Sequence, residues 1–269
     1  MPMLQLFDTH AHLDDDAFTD DLAQLIERAQ AAGLIAVVTV GVNASSSEAA
    51  IRIAERFPMV WAAVGIHPNY AAQAAPNDWD TITKLIHHPR VVALGETGLD
   101  RHWHYTPFDL QEDYFCRHLE LSRETGLPVI IHCRDAENDL CRLLDFTYMK
   151  HGPLRGVLHS FSGSWETAQL GLDVGLYISF AGMLTYKSAA NLRQVAGRVP
   201  ESRLLVETDS PYLVPVPLRG KIQRNEPAHI VHTLHCLARL RNTDVESLAA
   251  ITTENARQLF AIAQRTSSL

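Results

Sequence analysis

Cysteine is scarce in this chain. Four thiols, Cys116, Cys133, Cys141 and Cys236, are spread over 269 residues, and none forms a CxxC pair. With 46% hydrophobic residues the chain can build a large core, so a disulfide framework is not needed and reduced thiols in a cytoplasm are expected. Cys133 adjoins His132, and as its neighbour on a strand it should face the opposite way, into a core. No apolar run approaches the ~20 residues that span a bilayer. Nor does a positively charged segment precede an apolar one, so an unexported, soluble protein with no membrane partner is expected. Positive charge is not in excess: 23 Lys and Arg against 31 Asp and Glu give a formal net charge of −8. That excludes coating of nucleic acid by bulk charge, but a few arginines could still grip one phosphate locally. Repeats, low-complexity tracts and linkers are missing, which leaves residues 1–269 as a single domain, expected to be a monomer.

What the chain does contain is a regular alternation of short apolar runs with longer amphipathic ones. Strands are predicted at 4–10, 34–41, 60–67, 91–96, 128–133, 156–161, 175–182 and 203–209. Helices are predicted at 19–32, 46–57, 78–87, 109–125, 136–150, 166–174 and 189–199, with a last pair at 227–241 and 244–264. Eight strands alternating with helices over ~250 residues is the pattern of a (β/α)₈ barrel, an α/β fold. An open doubly wound sheet would alternate too, but it gathers its site at one switch point.

The polar residues decide between them. His10 and His12 stand in FDTHAHLD, Glu96 in GETGLD, His132 in VIIHCRDA, His159 in VLHSFSG and Asp209 in LLVETDSPY. These positions close strands one, four, five, six and eight, and only a closed ring brings those ends together. His10 and His12, two residues apart on a strand, should face one point, and Asp8 on that face could orient one of them. Glu96 has two oxygens with which to bridge two cations, and Gly95 and Gly98 beside it favour close backbone approach. Four imidazoles at one barrel mouth would be costly to bury unpartnered, and metal coordination removes that cost. Asp209 could bind a metal, act as general base towards water, or both. Glu207, deeper on the same strand, reads equally as a catalytic group or as a structural carboxylate paired with an arginine or lysine. The mixed nitrogen and oxygen donors suit two divalent ions such as Mg, Mn or Zn, and two ions sharing a hydroxide make the chemistry hydrolysis.

In sequence, the chain resembles the TatD family of metal-dependent hydrolases. The matching stretches are DTHAHLD (8–14), VGIHPN (64–69), GETGLD (95–100), LPVIIHCRDA (127–136), HSFSG (159–163), GLYISFAGMLT (175–185), ETDSPYL (207–213), RGK (219–221) and NEPAHI (225–230), in family order over nearly the whole chain. The resemblance implies a TIM barrel, a dinuclear divalent site and deoxyribonuclease activity, 3′ to 5′ on single-stranded DNA and extending to RNA. It places the metal ligands at His10, His12, Glu96, His132, His159 and Asp209, with Asp209 and Glu96 catalytic. Two loops depart from the family: RHWHYTP (101–107) follows GLD, and Ile222, Gln223 and Arg224 separate RGK from NEP. Both bear on substrate preference. A phosphotriesterase-like site would place a lysine at the end of strand four, where this chain has Glu96.

Substrate contacts are expected from Arg134, whose planar fork suits phosphate, and from His67, Asp100, Arg219 and Lys221. Arg134 could instead pair with Asp135, and Asp100 could instead bond a ligand histidine. Trp103, His104 and Tyr105 could stack on a base or pack on the next loop. His229, His232 and His235 read as a surface stripe. The rival function is hydrolysis of another ester or amide bond on the same site, such as that of an aminoacyl-tRNA.

Overall fold

In a computed structural model, which describes residues 4–262, eight parallel strands pair in the order β1 to β8. They are β1 (Leu6–Ala11), β2 (Leu34–Val40), β3 (Val60–Val64), β4 (Val91–Asp100), β5 (Val129–Arg134), β6 (Gly156–Leu158), β7 (Tyr177–Phe180) and β8 (Leu204–Val206). The ring closes just beyond β8: Asp209 N–H donates to His10 O at 2.9 Å and His12 N–H to Ser210 O at 2.7 Å. The (β/α)₈ barrel read from the sequence is the observed fold.

The helices are α1 (Leu22–Ala31), α2 (Ala44–Arg56), α3 (Asp78–Leu85), α4 (Phe108–Thr125), α5 (Glu137–His151), α6 (Trp165–Asp173), α7 (Ala190–Arg198), α8 (Ile230–Arg241) and α9 (Val245–Phe260). Local chemistry sets their ends. Asn43 and Ser46 form a reciprocal capping box at the start of α2, Asp244 accepts from Ser247 N at 2.7 Å before α9, and Gly126 ends α4 in the left-handed region at φ 73°. Of the helix predicted at 244–264, residues 263 and 264 lie outside the described residues. The helix predicted to begin at Thr19 begins at Leu22, because a 3₁₀ turn over Asp16–Phe18 takes up the acidic stretch.

Strand alternation divides the core into two layers. Val38, Trp61, Val92, Ile130, Val157 and Leu205 fill the barrel interior, closed by Phe260 against Phe7 with ring centroids 5.8 Å apart. Their strand neighbours Val37, Val60, Val91, Val129, Leu158 and Leu204 pack outward against the helices. Burial of both strand faces is why the runs read as continuous hydrophobics.

Several strands are shorter or longer than the sequence suggests, and each difference shapes the mouth. β6 stops at Leu158 and β8 at Val206, so His159, Glu207 and Asp209 stand on the segments that follow. Ser160 (φ 42°) and Asp209 (φ 54°) take left-handed backbone there, and Asp135 (φ 55°) does so after β5. β4 runs on to Asp100, four residues beyond the expected end. At Gly98 (φ 142°) an added Cβ would lie 2.0 Å from His132 O, so only glycine allows β4 and β5 this approach.

Candidate metal centre

Glu96 sits at the middle of the C-terminal mouth, 3% exposed. One carboxylate oxygen, Oε2, faces His10 Nε2 at 3.4 Å and His12 Nε2 at 3.6 Å. The other, Oε1, faces His159 Nε2 at 2.8 Å and His132 Nδ1 at 2.9 Å. Asp209 Oδ1 closes the first half, 3.5 Å from His12 Nε2 and 3.7 Å from His10 Nε2. The other five residues expected at the centre are therefore gathered around the Glu96 carboxylate, with two imidazoles on each side of it.

The far nitrogens of these rings show which nitrogen is free to coordinate. His12 Nδ1 lies 3.0 Å from Val40 O, a carbonyl that can only accept, so Nδ1 carries the proton and Nε2 offers its lone pair inward. His132 Nε2 is held by Asp100 Oδ2 at 3.0 Å, leaving Nδ1 to the centre. His159 Nδ1 is held by Glu207 Oε1 at 3.3 Å, leaving Nε2. Carboxylate or carbonyl partners on the outer nitrogen are how metal-binding histidines are oriented. His10 Nε2 and His12 Nε2 are 3.2 Å apart. Two ligands ~2.1 Å from a common ion would be separated by roughly 3.0–3.4 Å, so this donor set fits a divalent cation.

His67 differs. Asn69 N–H donates to His67 Nδ1 at 3.0 Å, so the lone pair is used there and the proton sits on Nε2, 3.4 Å from Glu96 Oε1. His67, Glu96 and His132 atoms lie within 4.8 Å of one another. Even so, an N–H cannot coordinate, and His67 is a hydrogen-bond donor into the centre. Burial holds this imidazole below its ordinary range despite Glu96, which keeps it neutral.

Charge in the centre follows from proximity. Burial alone would raise the Glu96 carboxyl, but His159, His67, His10 and His132 hold it far below the carboxylate range. Burial likewise opposes ionisation of Asp209, and the imidazoles of His12, His10 and His159 outweigh it. These carboxylates push His12 up to about 9 against the effect of burial. Two anionic carboxylates among imidazoles form a site that protons occupy when cations do not.

The remaining residues take positions around this cluster. Asp8 does not orient a histidine ring. The pairing of β1 with β2 slips between Asp8 and Ala11, and Asp8 accepts from Thr208 Oγ1 at 2.6 Å and Thr208 N at 2.9 Å, tying β1 to the segment after β8. Asp100, expected among the substrate contacts, is 1% exposed. It faces inward to His132 and takes N–H bonds from His102 and Trp103, at 2.9 and 3.0 Å. Glu207 pairs with His159 and with Ser160 N at 2.7 Å, not with a lysine or arginine. Arg134 is exposed at the rim. It is not paired with Asp135, whose carboxylate bonds His102 at 3.0 Å. Arg219 lies over the Tyr186 ring at 4.0 Å, and Lys221 is exposed nearby; neither touches the central cluster. His229 is no plain surface residue: its ring bonds Asn225 Oδ1 at 3.0 Å. The Cys133 thiol is partly buried and pushed up to about 12 by burial, a core group as expected. Sequence reasoning missed Tyr70 and Tyr212, whose rings stand edge-on to His67 and His12 at 6.1 and 5.9 Å.

A (β/α)₈ barrel with histidines and carboxylates converging at the C-terminal mouth defines the class of metal-dependent hydrolases. Within that class the chain belongs to the TatD related DNase family, whose model matches residues 7–261. An uncharacterized metal-dependent hydrolase, YabD, of Bacillus subtilis is 40% identical over 257 residues, covering 96% of this chain and 99% of that one. A protein of Salmonella typhimurium named 3′-5′ ssDNA/RNA exonuclease TatD is 36% identical over 260 residues, covering 96% and 99%. The crystal structure of YJJV, a TatD homologue from Escherichia coli, superposes with a TM-score of 0.88 at 28% identity, covering 95% of this chain and 98% of that one. Among the described residues no helix is long and apolar enough to cross a membrane.

Proposed function

We propose that this chain, as one catalytic unit in the cytoplasm, hydrolyses phosphodiester bonds of single-stranded nucleic acid, DNA or RNA, from the 3′ end. It would do so with two divalent cations, Mg, Mn or Zn. The observation that carries this reading is the division of Glu96: one oxygen turns to His10 and His12, the other to His132 and His159. His10, His12, Glu96 and Asp209 would hold one cation, and Glu96, His132 and His159 the other. Names of the relatives, the Salmonella typhimurium protein among them, supply the substrate class and polarity.

When bound, the cation pair supplies a nucleophile from water near neutral pH and offsets charge on the phosphoryl oxygens. The chain's own groups do the rest. Asp209 is ionised and, at 14% side-chain exposure, borders the open mouth, where one oxygen can orient a water and take its proton. His67 Nε2–H donates to a phosphoryl oxygen. Arg134, exposed at the rim, pairs with a neighbouring phosphate. Asp100, Glu207 and the Val40 carbonyl hold three imidazoles in their working tautomers. Arg219 and Lys221 give the loop after β8 positive charge for the trailing strand.

The test is cleavage of an end-labelled single strand in added Mn or Mg. The expected result is product from the wild type and at least a 100-fold loss in His132→Ala and in Asp209→Asn. Wild-type rates in both variants would end the proposal.

A further inference from the structure

Among the described residues large exposed hydrophobics are few, and four of them, Tyr70, Trp103, Tyr105 and Tyr212, are aromatics on the segments that follow β3, β4 and β8 at the catalytic mouth. Trp103 and Tyr105 stand out. Their rings are parallel within 13°, with centroids 5.4 Å apart, and they remain 42% and 59% exposed. Burying such rings would gain free energy, so a pair left open to water has surface to offer a partner. Trp103 is also fixed in place. Its backbone N–H donates to Asp100 Oδ1, whose other oxygen holds His132. His102 stands edge-on to it at 4.8 Å, itself tied to Asp135. The Arg134 guanidinium lies 5.8 Å from the Trp103 centroid.

We infer that Trp103 and Tyr105 form a stacking platform for one unpaired nucleobase of the substrate, with Arg134 receiving that nucleotide's phosphate. This rests on the nucleic-acid reading above and adds a subsite to it. A flat π-face adds the next layer to an existing ring pair whatever the base, so the platform selects for unpaired bases and not for sequence. A duplex offers no free base face, and the subsite therefore discriminates against double strands. The link through Asp100 sets the platform at a fixed distance from His132, so the stacked nucleotide fixes which phosphate reaches the cations.

The test separates binding from cleavage. Holoenzyme loaded with Mn is titrated with a short oligothymidylate carrying cleavage-resistant phosphorothioate linkages, and with the same strand made abasic. Tryptophan quenching and anisotropy report the affinity. The expected result is a base-dependent preference of roughly 5- to 100-fold in the wild type. In Trp103→Ala/Tyr105→Ala it should fall to near unity, while the melting temperature and Mn affinity stay at wild-type values. Arg134→Gln should weaken both ligands alike. A wild type that binds both strands equally, or a double variant that keeps the preference, overturns the inference. Loss of base-dependent binding in the variant, from a wild type that cleaves no nucleic acid, would uphold the platform and refute the nuclease reading.

Discussion

Asp100→Asn tests how the centre is held. The Asp100 carboxylate is buried and accepts four hydrogen bonds: from His132 Nε2 and Asn69 Nδ2 on Oδ2, and from the His102 and Trp103 amides on Oδ1. An amide has one acceptor oxygen and one donor NH₂. If the oxygen keeps the two backbone amides, the NH₂ faces His132 Nε2 and Asn69 Nδ2. His132 then turns its lone pair outward, its proton moves to Nδ1, and it cannot bind a cation. If the oxygen faces His132 instead, two buried N–H groups lose their acceptor, at about 1–3 kcal/mol. Loss of a carboxylate behind a ligand histidine costs about 10- to 100-fold in metal affinity. The variant should therefore need roughly that much more Mn for half-maximal rate, recover most of its activity at saturating Mn, and bind Mn more weakly in calorimetry. Unchanged Mn affinity with a raised KM for the strand would refute the argument and return Asp100 to the substrate-binding groups.

Three further outcomes follow from the same geometry. Gly98→Ala places a Cβ 2.0 Å from His132 O in a backbone region that costs side chains about 1–3 kcal/mol before any clash, so thermal melting should drop and Mn affinity fall with it; an unchanged melting temperature would contradict the packing of β4 on β5. Mn at about 100 times its dissociation constant should stabilise the fold by about 2.7 kcal/mol for each cation bound in urea titrations, and EDTA should reverse this; no shift would mean that the native fold holds no cation. His118 is buried, with Nε2 accepting from Ile66 N at 3.2 Å and Nδ1 against Tyr114 O at 2.7 Å, and burial pushes its pKa down to about 4. Because the folded value lies below the unfolded ~6.5, its contribution is complete above pH 6.5 and is lost as pH falls towards 4. Between pH 7 and pH 5 that loss is about 2 kcal/mol, seen as a shrinking stability gap between wild type and His118→Gln, and a constant gap would refute it.

Much of the barrel could be read from the sequence because its strands are buried on both faces and appear as apolar runs of fixed spacing. The six central residues could be read because each directly follows such a run. Strand ends were less legible. β6 and β8 stop two and three residues before Ser160 and Asp209 enter left-handed backbone, which residue type alone does not announce. The roles of Asp8 and Glu207 were hidden because they depend on partners distant in sequence, whereas Asp100 bonds His132 as one of its two sequence readings has it. Asp8 meets Thr208, Glu207 meets His159, and alternation along one strand cannot say which carboxylate reaches which ring. The His67 tautomer depends on the backbone N–H of Asn69, a contact created only by the 3₁₀ turn over Pro68–Gln73.

The most direct test of the central claim is anomalous diffraction from crystals grown with Mn. Two peaks should flank the Glu96 carboxylate, one coordinated by His10 and His12 and the other by His132 Nδ1 and His159 Nε2. A single peak, or peaks that leave either pair of imidazoles uncoordinated, would contradict it.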